Sequence, residues 1–336
     1  MSASKLFRAA LALALALGLT SCGGNPGKDS GLTQLSLCLE WTPNTNHTGL
    51  FAAQALGYFE EAGLNVTIIQ PPEDGASALC AAGKTEFALT AQDTMAAALA
   101  RPNPLEITAV AAVLQHNTSG ILSRAGEGMD QPKGLEDHTY STYNGLIELA
   151  IMEQVVTANG GDFSRVNLVP YTLNDEAGAL REGLTDAIWV YYGWGGIAAE
   201  VAGLETDYFY FKDIDPVFDF YTPVIVANNA FLQENPVAAR AFLAAAARGY
   251  EYAIEHPEEA AKLLIEGDST GSLSGSEELV LASQKWMADQ YQAEADQWGY
   301  IDPARWNAFY QWLNENDLVD QPIPENVGFS NDYLPQ

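Results

Sequence analysis

Apolar and polar residues alternate along 34–41 (QLSLCLEW), the period-two pattern of a half-buried strand. The next segment, 48–64 (TGLFAAQALGYFEEAGL), shifts to helical spacing and stops at a glycine. The two periods keep exchanging. Strand 65–71 precedes a helix over 73–83 with Asp74 as its acidic cap candidate, then come strand 86–93, helix 94–100 and strand 105–115. Beyond 115–126 (QHNTSGILSRAG) the pattern restarts with strand 138–144 and a helix that ends at Gly160-Gly161. Strand 166–173, helix 176–184, strand 186–193, helix 194–203, strand 207–212 and a last strand at 220–229 follow. From Phe231 onward the chain reads as almost all helix.

Strands alternating with short helices predict parallel sheet flanked by helices. Two such units, crossings near Gln115–Ser123 and Asp219–Val226 and a helical carboxyl-terminal third predict an α/β clamshell with a hinge between its lobes. One lobe would comprise 34–118 plus 223–336 and the other 119–222.

The amino terminus adds an address. Lys5 and Arg8 precede the apolar run Ala9–Leu19, which ends in small residues at 19–22 (LTSC). This is the form of a secretion signal over 1–21, and its apolar run falls short of the roughly 20 residues a membrane span needs. LTSC resembles the bacterial lipobox, which makes Cys22 the expected lipidation site. Residues 22–33, beginning CGGNPGKDSG, read as a flexible tether for a body held at the outer face of the membrane by lipid alone.

With 48% apolar residues the full sequence has ample material for two cores. Its formal charge is −29, from 44 acids against 15 Lys and Arg, and the signal removes two cations and no acid. Such a surface repels phosphate backbones and excludes nucleic-acid binding. Cys38 in the first strand and Cys80 in an apolar helix are either two buried thiols or, in an exported chain, a disulfide. The four histidines are scattered without metal-ligand spacing, so no structural metal is expected.

Ligands of open α/β sheets sit beyond the carboxyl ends of strands. Those ends supply Glu40, Trp41, Asn44 and His47 after strand one, Gln92 after strand three, and Asn117 and Thr118 after strand four. The second unit supplies Tyr143, Glu148 one turn into the next helix, and Tyr191, Tyr192 and Trp194. Each has a plainer reading. A lone tryptophan at a strand end is more often core, Asn-Thr-Asn is also a turn and helix cap, and Glu148 is also a first-turn acid on a helix dipole. Four strand ends carrying aromatic faces, amides and hydroxyls favour a cleft for a flat polar ring, stacked and read at its edges. No nucleophile elbow, Walker loop, HExxH or dinucleotide fingerprint occurs, so catalysis is not expected.

These residues carry a resemblance. The stretch LEWTPNTNHTGLFAAQALGYFEEAGLNVTIIQPPEDGA, with WTPNTNHTG as its most specific part, is similar to the opening of the pyrimidine-precursor-binding lipoproteins of ABC importers. The likeness runs on through QHNTSGILS and DAIWVYYGWGGIAAEVAG to the carboxyl terminus, in a family shared with the fungal thiamine-pyrimidine synthase. It implies a type II-like periplasmic-binding-protein fold that closes on an aminopyrimidine and hands it to a membrane permease, with no cofactor and as a monomer. This chain departs from the family in having Glu40 before Trp41, where Asp is usual, and Gly195 after YGW, where an acid is common. The synthase branch relies on a cysteine-rich motif and a cofactor lysine, and neither is present here.

The expected mechanism stacks the ring on Trp41 and one of Tyr191, Tyr192 or Trp194. Asn44, His47, Gln92 and Glu148 would read its edges, and Asn117-Thr118-Ser119 would hold a polar substituent through backbone N–H and hydroxyl groups. The rivals are a pyrimidine-making enzyme, and a riboflavin or sulfonate binder on the same fold.

Overall fold

A computed structural model describes residues 31–73, 75–170 and 175–335. The signal segment, Cys22, most of the tether and the cap candidate Asp74 lie outside the described residues. Among the described residues, ten strands form two five-stranded sheets. The first, in the order β2-β1-β3-β10-β4, contains β1 (Thr33–Cys38), β2 (Leu64–Ile69), β3 (Phe87–Thr90), β4 (Ile107–Ala112) and β10 (Val224–Asn228). The second, in the order β7-β6-β8-β5-β9, contains β5 (Ser119–Arg124), β6 (Thr139–Thr142), β7 (Asn167–Pro170), β8 (Ala187–Tyr191) and β9 (Thr206–Tyr210).

Neither sheet is purely parallel, which corrects the sequence expectation. In each, three parallel strands meet one antiparallel strand in fourth place, β10 in the first sheet and β5 in the second. Both of these strands directly follow a crossing of the chain. Ser119–Arg124, read from sequence as part of a crossing, is almost wholly buried between β8 and β9. Gly120 makes that possible, because a Cβ there would fall 2.1 Å from the Phe209 carbonyl oxygen and 2.8 Å from the Tyr208 ring.

The helix expected over 48–64 divides at Gly57 (φ +76°) into Thr48–Ala55 and Tyr58–Glu61. The carboxyl-terminal helices cover the first sheet. Phe242 of the Pro236–Glu255 helix stacks on Phe87 of β3 at 3.9 Å and on Phe59 at 5.3 Å between centroids. The β4 edge is closed by short bridges from Ala109 to Phe329 and from Ala112 to Gly299.

Cys38 and Cys80 are buried free thiols, each within reach of main-chain carbonyls. Burial, helped by nearby carboxylates, pushes their pKa values up to about 11 and about 12. Neither thiol should react with a disulfide reagent at neutral pH until denaturant is added. Rapid labelling of the native protein would contradict their placement.

A charged cluster ties the two crossings together. His116 Nδ1 lies 2.6 Å from Asp219 Oδ2 and Nε2 lies 2.8 Å from Glu294 Oε2. Asp219 also accepts the Asn117 backbone N–H at 2.9 Å. Arg305 approaches Asp219 and Glu294 at 3.5 and 3.6 Å and donates to the Gln115 carbonyl. The Asp219 hydrogen bond holds the His116 pKa above its ordinary value, against partial burial. A raised histidine pKa gives stability that is complete below the unfolded value of about 6.5 and is lost as pH rises through the folded one. The melting-point advantage of wild type over His116→Gln should therefore be largest at pH 5–6 and shrink toward about pH 9. A difference independent of pH would contradict this.

Candidate ligand-binding cleft

The cleft begins where β1 ends. Asn44 caps the Thr45–His47 turn, its Oδ1 accepting the Asn46 N–H at 2.9 Å, while its own N–H donates to His47 Nδ1 at 3.2 Å. With Nδ1 accepting, the bonding assigns the ring proton to Nε2, which faces the Glu40 carboxylate at 3.0 and 3.1 Å. His47 is fully buried, so it anchors Glu40 and presents the carboxylate to the cleft as an acceptor. The turn is held from beneath. Tyr250 donates to the Asn46 carbonyl at 2.7 Å and Tyr291 to the Thr45 carbonyl at 2.5 Å. Ser283 meets Thr45 Oγ1 at 2.6 Å and donates to the Gly193 carbonyl, so one hydroxyl links loops belonging to both sheets.

A cavity of about 340 Å³ opens at this point, lined by Glu40, Trp41, Thr42, Asn44, Asn46, Ala91, Tyr191, Trp194, Thr222 and Pro223. Its size suits a small ring, since ligand pockets start at roughly 300 Å³. Trp41 is 66% exposed, a large apolar face left open to the cleft. Tyr191 faces it from the end of β8, its hydroxyl accepting from Thr222 Oγ1 at 3.3 Å. The lining contains one carboxylate and no Arg or Lys.

Glu40, Trp41, Asn44, Tyr191 and Trp194 thus meet in one cavity, with His47 directly behind Glu40. Tyr143 stands nearby, 60% exposed, its ring edge-on to Trp189 at 6.2 Å. The other expected contacts are turned inward. Gln92 is fully buried, donating to the Trp306 carbonyl at 2.8 Å and accepting the Tyr221 N–H at 2.9 Å. Both ends of its amide are bonded to main chain, so it braces the floor of the cleft. Asn117 is buried likewise, between the Phe218 carbonyl and the Ser119 N–H. Thr118 is buried beside it, and its carbonyl accepts from Tyr192 N and Tyr208 Oη. Glu148 accepts from Tyr140 Oη at 2.6 Å, Thr142 Oγ1 at 2.9 Å and Gly145 N at 3.0 Å, which makes it a buried capping acid. Tyr192 points away, into an aromatic cluster with Tyr208, Tyr210 and Trp286, and donates to Glu200.

Thr222 and Pro223 lie outside the sequence expectation, which takes ligand contacts from the carboxyl ends of strands. They precede β10, which runs antiparallel, so its beginning lies at the edge where β3 ends. The glycines of YGWGG also find a reason. A Cβ on Gly195 would fall 2.7 Å from Val190 Cβ, and one on Gly193 would fall 2.5 Å from Met287 Sδ. The place of an acidic side chain at 195 is filled by Val190.

The family model described as NMT1/THI5 like matches residues 44–260, well over half of the chain. The chain belongs to this family. Among NMT1/THI5-like relatives, the formylaminopyrimidine-binding protein of Halalkalibacterium halodurans is 30% identical over 97% of this chain and 99% of its own. A 4-amino-5-hydroxymethyl-2-methylpyrimidine phosphate synthase of Saccharomyces cerevisiae is 26% identical over 69% of this chain and 71% of its own. Among solved structures, the periplasmic aliphatic sulphonate binding protein SsuA of Escherichia coli superposes with a TM-score of 0.64 at 14% identity, over 86% of this chain and 89% of that one. The two-lobed solute-binding fold is therefore shared well beyond the reach of sequence identity.

Proposed function

We infer that this protein is the solute-binding component of an ABC importer and carries a thiamine-precursor pyrimidine or a closely similar flat heterocycle. The observation that carries this reading is the cavity between the sheets, where the exposed Trp41 face and the Tyr191 and Trp194 rings surround a single carboxylate, Glu40, fixed by His47. An aminopyrimidine offers both a face to stack and N–H donors to give. The full-length match to a formylaminopyrimidine-binding protein supports the same choice.

The protein acts without chemistry. A ring enters the open cleft, the lobes 34–118 plus 223–336 and 119–222 close about it by hinge motion, and the loaded form docks on a permease. Lipid on Cys22 keeps the monomer at the outer face of the membrane. A sulfonate or nitrate would require cations that the lining lacks.

A thermal-shift panel of aminopyrimidines, thiamine, riboflavin, pyridoxal phosphate, taurine and nitrate tests the reading. A ligand at about 100 times its Kd adds roughly 2.7 kcal/mol, a rise of several degrees. A shift with aminopyrimidines alone is expected; a shift confined to riboflavin or taurine would overturn the cargo.

A further inference from the structure

A helix that does not line the cavity joins its two walls. Glu40, Trp41 and Asn44 follow β1 of the first sheet, whereas Tyr191 and Trp194 stand at the end of β8 of the second. Trp194 belongs to a single π-helical turn, Tyr192–Gly196, a form that recurs at functional sites. The Glu277–Met287 helix, from the carboxyl-terminal part of the chain, lies against that turn.

Ser283, Trp286 and Met287 are spaced i, i+3, i+4 and so share one face of this helix. All three meet the turn. Trp286 packs on Tyr192 with 5.4 Å between ring centroids. A Cβ on Gly193 would fall 2.5 Å from Met287 Sδ and 2.9 Å from the Trp286 ring. Trp194 packs against the buried cluster that contains Met287 and Tyr250, the core of the first sheet.

Ser283 completes the connection. Its hydroxyl donates to the Gly193 carbonyl, and it has only that one proton to give. Thr45 must therefore be the donor in its 2.6 Å pair with Ser283 Oγ. The bonds run one way, from the Thr45 hydroxyl through the Ser283 hydroxyl to the Gly193 carbonyl. They lead from the turn beneath Glu40 to the turn that carries Trp194. Thr45, Gly193 and Ser283 are all buried, so removing the serine hydroxyl takes the partner from a buried donor and a buried acceptor at once.

We propose that Ser283 is a positioning residue for ligand binding. It sets the width of the cleft by tying the β1 side, through Thr45, to the β8 side, through Gly193, with Trp286 and Met287 as the packed surface of the tie. This rests on the cavity being the ligand site, as inferred above. A ring that stacks on Trp41 then finds Tyr191 and Trp194 already in place. Without the tie the two sides sample wider separations, and narrowing them again costs part of the binding free energy.

The test compares wild type, Ser283→Ala and the nearly isosteric Thr45→Val. Binding and release of N-formyl-4-amino-5-aminomethyl-2-methylpyrimidine are followed by stopped flow, and the radius of gyration by small-angle scattering with and without this probe. Ser283→Ala should bind about tenfold more weakly, mainly through faster dissociation. Its ligand-free radius should exceed that of wild type and return to the wild-type value at saturation. Thr45→Val, which keeps the bond to Gly193, should change both quantities in the same direction by less, about threefold in affinity. It carries the test alone if Ser283→Ala does not fold. A serine that only supports the fold would lower the melting point and leave the dissociation rate and ligand-free radius as in wild type, which would overturn the proposal. Weaker binding with an unchanged ligand-free radius would overturn it as well. If wild type does not bind the probe, the cargo is wrong, and the ligand-free radii still decide the tie: equal radii reject it.

Discussion

Replacing Trp41 by alanine is expected to weaken binding of an aminopyrimidine by about 10- to 100-fold while leaving the ligand-free melting point within about a degree of wild type. Stacking of a base on an aromatic side chain is worth roughly 1–3 kcal/mol by alanine substitution, which sets the scale. The stability half follows from exposure: with two thirds of its surface in water, the ring contributes little to the core. Calorimetric titration paired with a melting curve separates the two effects. An unchanged Kd would remove Trp41 as the stacking platform. A fall in melting point comparable to that of a core mutation would show that the ring packs inward.

The second large effect concerns the support under the cleft. The Thr48–Ala55 and Pro236–Glu255 helices cross at two glycines. A Cβ on Gly249 would fall 1.9 Å from the Gly49 carbonyl oxygen, and one on Gly49 would fall 2.2 Å from Tyr250 Cγ. At Gly249 the obstacle is main chain and at Gly49 it is the buried Tyr250 ring, so neither neighbour is the free end of a flexible side chain. Tyr250 stacks on Trp298 at 4.3 Å and carries the bond to Asn46. Gly249→Ala should therefore cost about 3 kcal/mol or more, lowering the melting point by roughly 5–10 °C. Gly49→Ala should do the same and also weaken ligand binding, because displacing Tyr250 releases the Asn44–His47 turn. Wild-type melting points for both would contradict the close crossing.

What was legible in the sequence was local. The turn after β1 announced itself because Asn44, Asn46 and His47 satisfy one another within four residues, and Trp41 stood out as a large apolar group in a polar loop. The β8 end was readable for the same reason, although the neighbours Tyr191 and Tyr192 differ in fate: one faces the cavity and the other an aromatic cluster. What stayed hidden depends on partners far away in the chain. Gln92 looks like a free amide until Trp306 arrives from 214 positions downstream. Glu148 has the spacing of an exposed first-turn acid, and only the fold brings the Tyr140 hydroxyl onto it. The antiparallel strands β5 and β10 enter their sheets across the crossings. A reading built on alternating parallel units therefore had no place for Ser119–Arg124, nor for Thr222-Pro223 at the cleft.

The most direct measurement is isothermal titration of the purified protein with N-formyl-4-amino-5-aminomethyl-2-methylpyrimidine. A saturable, one-to-one isotherm with Kd at or below about 1 μM is the expected result. No saturable heat up to about 1 mM, with normal melting of the same sample, would contradict a pyrimidine carrier.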